Sequence, residues 1–202
     1  MITVRPPEIK VAPEGFAGFS LGEIAALWAS GMLSFKEAFR LTLRRAELMA
    51  ACAARTEAGM IAVLKLADGA VEALCRESGA WPVNYNCPGQ VVCALPKSGF
   101  PAFLDAVKAA GGRAIPLMVS GGFHSPLMRE AARGLRTYTE GVIFAEPEAP
   151  LYANATCRPY TAAEAPALLG AQVESPVRWT ELLRAMQADG DTDVIELGPG
   201  KH

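Results

Sequence analysis

The sequence predicts a mixed α/β fold in which a small βαββαβ unit interrupts a larger core. Three observations predict it. A Gly-x-Ser-x-Gly pentapeptide, Gly18 to Gly22, stands between a short apolar run and a helical pattern; that strand–turn–helix context suits an α/β-hydrolase-like core with parallel strands. Strand and helix signals then follow in the order β-α-β-β-α-β over roughly 60 residues, the ferredoxin-like pattern. Both ends of that unit return to helical and turn segments, so it reads as an insertion. The expected division is a large subdomain of residues 1–57 and 120–202 and a small one of residues 58–119.

Residues 1–14 are rich in Pro and Glu and show no period. Phe16 to Phe19 is an apolar run that suits a buried strand. Leu21, Ile24, Ala25, Leu27 and Trp28 fall on one broad helical face, and Gly31 ends that helix. Ser34 is placed to cap the next one, with Glu37 completing a capping box; that helix is expected to run to about Ala54. Met60–Leu64 reads as a strand and Asp68–Glu77 as a helix. Pro82–Asn86 and Gln90–Leu95 read as strands around the turn-forming trio Cys87-Pro88-Gly89. A helix over Ser98–Ala110 closes at Gly111-Gly112, and a strand is expected over Arg113–Val119. Beyond it come a helix over Ser125–Arg136, a strand over Leu151–Asn154, helices over Ala163–Gln172 and Trp179–Ala188, and a last strand over Asp193–Leu197 ending at Gly198-Pro199-Gly200.

Composition excludes several classes of function. Hydrophobic residues make up 51% and charged residues 20% of 202, the balance of a globular protein with a sizeable core. The net charge is −2, from 19 Lys+Arg against 21 Asp+Glu, which lacks the basic excess that phosphate neutralisation needs. Nucleic acid is therefore not an expected partner. No run approaches the ~18 apolar residues of a membrane helix, and the N-terminus has no basic segment followed by an apolar one. A cytoplasmic protein with no membrane partner is expected. The five cysteines form no Cys-x-x-Cys pair and only two histidines accompany them, so reduced thiols are expected and a metal site is not.

The glycines around Ser20 allow the tight turn that holds a hydroxyl clear of the sheet, facing the N–H groups of the following helix. A serine hydroxyl needs a base to act as a nucleophile at neutral pH. Of the two histidines, His202 is the last residue, so His124 in Ser120-Gly121-Gly122-Phe123-His124-Ser125-Pro126 is the candidate partner. It follows a strand and precedes a helix, where functional loops lie. On the residues alone other readings stay open: Ser20 as a Gly-flanked helix cap, His124 as a satisfier of helix-start groups, Arg45 as a solvated helix arginine.

Gly18-Phe19-Ser20-Leu21-Gly22-Glu23 and Gly122-Phe123-His124-Ser125-Pro126-Leu127-Met128 resemble the nucleophile and histidine motifs of malonyl-CoA:acyl carrier protein transacylases. Further segments resemble that family in the same order: Leu43 to Met49, Val83 to Val92, Gln172 to Trp179, and Glu196 to Gly200. The likeness runs from about Gly15 to Lys201. It implies a ping-pong transfer in fatty-acid biosynthesis, from malonyl-CoA to the phosphopantetheine thiol of acyl carrier protein through a malonyl ester on Ser20. His124 would be the base and the Gln172 backbone carbonyl its orienting group. The Leu21 N–H would be an oxyanion donor. Arg45 would hold the malonyl carboxylate by a two-pronged contact that lysine cannot reproduce. Asn86 is placed in the cleft by the same resemblance, and Phe123 resembles members that select malonyl over methyl-branched groups. No bound cofactor is implied; malonyl-CoA is a substrate and acyl carrier protein the partner. An acyltransferase domain of a polyketide or multifunctional synthase, a serine hydrolase and a non-catalytic, partner-binding fragment are the alternatives.

Two departures from the family pattern matter. Phe19 stands where the family usually has histidine, which makes the pocket more apolar. Residues 1–14 hold nothing like the family's Gly-Gln-Gly segment, and the sequence stops just after Gly200; the chain is expected to lack the N-terminal portion and the extreme C-terminus. Loss of one oxyanion donor typically lowers turnover on the order of 10²–10³-fold, and a missing strand leaves an open sheet edge. Weak or no transferase turnover is therefore expected of this chain, and a steady-state assay giving full turnover would overturn that expectation.

Overall fold

Local signals set most of the element boundaries. The structure, a computed structural model, describes residues 12–190 and 193–198. In chain order it contains β1 (Phe16–Ala17), α1 (Leu21–Ala29), α2 (Phe35–Ala53), β2 (Ala58–Leu64), α3 (Asp68–Ser78), β3 (Trp81–Cys87), β4 (Gln90–Pro96) and α4 (Phe100–Ala109). These are followed by β5 (Arg113–Pro116), α5 (Arg129–Thr139), β6 (Leu151–Tyr152), α6 (Ala165–Glu174) and α7 (Trp179–Asp189). The Ser34 hydroxyl accepts the Glu37 N–H, and the Glu37 carboxylate accepts the Ser34 N–H, both at 3.3 Å. Two of the unpaired donors at the start of α2 are satisfied in this way. Gly79, at φ 64, closes α3 in the left-handed conformation that glycine adopts without strain.

The fold is mixed α/β, as predicted. β1 and β6 pair in parallel, Phe16 opposite Leu151 and Ala17 opposite Tyr152. The other four strands form an antiparallel sheet in the order β3-β4-β2-β5. Each of its two inner strands is apolar on both faces, because both faces are covered. Ile61, Val63, Val91, Cys93 and Leu95 pack with Phe103 and Val107 of α4 and Val71 and Cys75 of α3. Met60, Ala62, Val92 and Ala94 point the opposite way and pack against Phe123 and Leu117. The larger core joins α1, α2, α5 and α6, with Leu27, Leu41, Leu135, Leu151 and Leu169 buried at its centre. No helix among the described residues is long and apolar enough to cross a membrane.

Four expectations are corrected. The strand expected over Arg113–Val119 ends at Pro116; one more bond, from the Leu117 N–H to the Met60 carbonyl, closes it before the chain turns away. The helix expected from Ser125 begins as a 3₁₀ turn over Pro126–Met128, capped by Ser125, and becomes α-helical only at Arg129. The strand expected to reach Asn154 stops at Tyr152. Residues 193–197 form no strand: Val194, Ile195 and Leu197 are exposed. Strand-forming residues make a strand only where a face is buried and a neighbour takes the backbone bonds. Pro199 and Gly200 of the closing motif, Lys201, the terminal His202 and the first eleven residues lie outside the described residues.

Replacing Ser34 with Ala removes the hydroxyl half of the capping box. The expected result in urea unfolding is a loss of about 1 kcal/mol with an unchanged m-value.

Candidate active site

Ser20 sits between β1 and α1 at φ 52, ψ −103, a conformation that a side-chain-bearing residue rarely adopts. The turn is tight because Gly18 and Gly22 approach closely. A Cβ on Gly18 would fall 2.1 Å from the Gly22 carbonyl carbon and oxygen. The hydroxyl of Ser20 is thereby held at the N-terminus of α1. The Leu21 N–H, the first of that helix, has no hydrogen-bond partner among the described residues, as expected for a first-turn donor.

His124 lies in the loop after β5, also at positive φ (60). The last turn of α6 holds it. A helix leaves its final carbonyls unpaired, and two of these are used here: the His124 N–H donates to the Val173 carbonyl at 3.2 Å and the ring pairs through Nδ1 with the Gln172 carbonyl at 2.9 Å. The Gln172 carbonyl can only accept, so Nδ1 carries the proton and Nε2 of the neutral ring has a free lone pair. Nε2 lies 2.7 Å from Ser20 Oγ. Burial pushes the ring well below its ordinary value, from 6.5 to about 4, against the opposing pull of the Gln172 carbonyl. The imidazole is therefore a neutral acceptor at physiological pH. A serine hydroxyl aimed at such a ring can pass its proton to it as the oxygen attacks a carbonyl.

Arg45 belongs to the same constellation. It lies on the buried stripe of α2 between Leu41 and Met49, four residues from each, so its side chain is carried inward. A terminal guanidinium nitrogen donates to Ser20 Oγ at 2.9 Å, and Nε donates to Gln172 Oε1 at 3.1 Å. Burial lowers its pKa to about 10, which leaves it cationic. The Gln172 side-chain nitrogen donates in turn to the Ser20 carbonyl at 2.9 Å and to Glu23 Oε2 at 2.7 Å. Gln172 thus meets the histidine through its main chain and the serine and arginine through its side chain.

The cleft over these groups has a volume of about 410 Å³ and is lined by Phe19, Ser20, Arg45, Met60, Asn84, Phe123 and His124, among others. Phe19 stands edge-on to Trp179, with ring centroids 5.6 Å apart. Asn86, expected in the cleft, is not among its lining residues; Asn84 is. The two are separated by ~7 Å along the strand, which carries Asn86 toward the hairpin tip. Asn84 is buried, and its Oδ1 has no hydrogen-bond partner among the described residues.

Sequence reasoning assigned no role to Glu23, Asn154 or Tyr160. Glu23 is fully buried in the first turn of α1, and its carboxylate accepts from Tyr160, Gln172 and the Asn154 N–H. Burial pushes its pKa up to about 7, against the pull of Tyr160, Gln172, Asn154 and Arg45. The available signal was a carboxylate three residues after Ser20, next to Ile24 on the inward face of the helix. Among the described residues no group of side chains is arranged to hold a metal ion.

Residues 10–200 match the family profile described as acyl transferase domain. A malonyl CoA-acyl carrier protein transacylase of Salmonella typhimurium is 37% identical over 196 residues, covering 94% of this chain and 63% of that protein. The crystal structure of an acyl-carrier-protein S-malonyltransferase from Burkholderia pseudomallei superimposes with a TM-score of 0.89 at 37% identity, over 94% of this chain and 64% of that one. A malonyl-transacylase solved in complex with its type II polyketide-synthase acyl-carrier protein gives a TM-score of 0.90 at 37% identity, over 94% and 63%. The chain thus spans somewhat under two thirds of the length of these relatives.

The position of His124 sets its titration. NMR of the ring, assigned with a His124→Ala control, should show it protonating near pH 4 rather than 6.5. The unfolded chain then binds the extra proton between those values. This group's contribution to stability is present above pH 6.5 and lost as pH falls toward 4. Titration at the ordinary value would contradict the buried, neutral ring.

Proposed function

The chain belongs to the acyl transferase domain family, and from that premise we propose that it transfers a malonyl group from malonyl-CoA to the phosphopantetheine thiol of an acyl carrier protein, through an ester on Ser20. One observation carries the proposal. The Ser20 hydroxyl meets both a neutral imidazole at 2.7 Å and a cationic guanidinium at 2.9 Å. The first contact suits a nucleophile; the second suits an acyl group that ends in a carboxylate.

In the first half-reaction Ser20 Oγ bonds to the thioester carbonyl carbon while its proton passes to His124 Nε2. The oxyanion that forms faces the start of α1, where the Leu21 N–H is free to donate. The C–S bond then breaks, the imidazolium returns its proton to the sulfur, and coenzyme A leaves as the thiol. The second half-reaction is the reverse, with the carrier's thiol as attacking group: its proton goes to His124, the C–O bond to Ser20 breaks, and Oγ is reprotonated. The Gln172 carbonyl stabilises the imidazolium in both halves. Arg45 pairs with the malonyl carboxylate, a charge-assisted contact with low entropy cost because Gln172 already holds the guanidinium.

The reading places the protein in the cytoplasm; its place in fatty-acid synthesis is supported by the transacylase relatives. Its likeness to a malonyl-transacylase bound to a polyketide-synthase carrier supports a second reading, in which the acceptor belongs to polyketide synthesis. The chemistry at Ser20 is the same in both.

Incubation with malonyl-CoA followed by intact mass measurement should show one malonyl adduct, absent in Ser20→Ala. Arg45→Ala should lower malonyl loading by about 2–5 kcal/mol in kcat/KM and barely change hydrolysis of a neutral ester. No adduct at any concentration would leave a partner-binding role instead, and equal effects on both substrates would favour a simple serine hydrolase.

A further inference from the structure

A residue held at φ 52, ψ −103 persists only where its surroundings over-determine it. The flanking glycines allow the turn at Ser20 but do not hold it. The parallel pairing of β1 with β6 cannot hold it either, since that ladder ends at Ala17 and Tyr152. Beyond that point no strand pairing links the two segments, and side chains take over: Gln172 holds the Ser20 carbonyl at 2.9 Å, and Asn154 holds the groups before it. Asn154, two residues past β6, accepts the Ser20 N–H on Oδ1 at 2.7 Å and donates from Nδ2 to the Gly18 carbonyl at 2.7 Å. Both partners are main-chain groups of fixed polarity, so the carboxamide has only one orientation that satisfies them. Asn154 is itself anchored: it is 1% exposed, and its own N–H lies 3.4 Å from both Glu23 carboxylate oxygens.

We propose that Asn154 is a positioning residue for acylation of Ser20, its carboxamide bracing both sides of the strained turn so that Oγ stays within reach of His124 Nε2. The inference rests on the role given to Ser20 above and assigns the bracing to a residue that touches no reacting atom. A backbone brace differs from ordinary core packing in what it controls. Its loss lets the Ser20 peptide relax, and Oγ moves away from the imidazole, while Arg45 and the cleft walls stay in place. Displacement of a reacting group by ~1 Å lowers rate on the order of 10²-fold. Substrate affinity, set by Arg45 and the cleft, is retained.

The test compares the full chain with Asn154→Ala, which removes both bonds, and Asn154→Asp, nearly the same shape, which keeps the acceptor for Ser20 and loses the donor to Gly18. Single-turnover malonylation is followed by intact mass across malonyl-CoA concentrations, and exchange of the Ser20 amide is followed by NMR. The expected result is a fall in the limiting rate on the order of 10²-fold for Asn154→Ala, with the half-saturating concentration near the wild-type value and a Ser20 amide that exchanges faster. If Asn154→Ala does not fold, Asn154→Asp is expected to show the same split to a smaller degree. A folded variant with a wild-type limiting rate overturns the proposal. So does a rate loss matched by an equal loss of affinity, which marks general damage to the cleft. If the wild-type chain itself takes up no malonyl group, the reading of Ser20 fails separately; the brace is then judged on exchange alone, and a Ser20 amide equally unprotected in wild type and Asn154→Ala overturns it.

Discussion

A hydroxyl at residue 20 and an imidazole at residue 124 meet only if the intervening chain, with a complete four-stranded sheet, returns to the place it left. The 2.7 Å contact between Ser20 Oγ and His124 Nε2 is the point where that return closes. Each partner is held by helix-end chemistry. Ser20 stands at the start of α1, where N–H groups are unpaired, and His124 takes up carbonyls that the last turn of α6 leaves open. A histidine anchored by two orphan carbonyls needs no carboxylate to choose its tautomer. The polarity of the Gln172 carbonyl does that alone.

The same small volume holds two groups that water would rather keep. Arg45 is 7% exposed and Glu23 is fully buried. Burying charge is costly unless the partners are well placed, and removing one partner leaves the other uncompensated. The Gln172 amide joins them, accepting from Arg45 and donating to Glu23. This arrangement is weak evidence for stability but strong evidence for preorganisation. The guanidinium is aimed before any ligand arrives, so little reorganisation is left for the moment of binding.

The antiparallel sheet contributes more than an appendage. Its second apolar face meets Phe123, the residue before the histidine, so packing across that face fixes the loop that carries His124. Asn84 reaches the cleft from β3, whose edge is tied to the segment before α7 by paired bonds with Val177. The cleft wall therefore draws on both layers, and its shape depends on how they pack.

Much of this was legible in the sequence, because the signals are local. The capping box at Ser34, the stop at Gly31, the apolar runs of β2 and β4 and the glycines around Ser20 act within a few residues through steric limits and backbone hydrogen bonds. They determined the mixed α/β class, the order of elements and the residues worth suspecting. Tertiary structure decided the rest. Only packing could put Asn84 rather than Asn86 in the cleft, turn Arg45 inward among apolar neighbours, bury Glu23 beneath the turn, or bring Asn154 across to Ser20 from 134 positions away. It also left residues 193–197 without the expected strand. A side chain's type limits which bonds it can make, but which partner it finds depends on distances that come into being only when the chain has closed on itself.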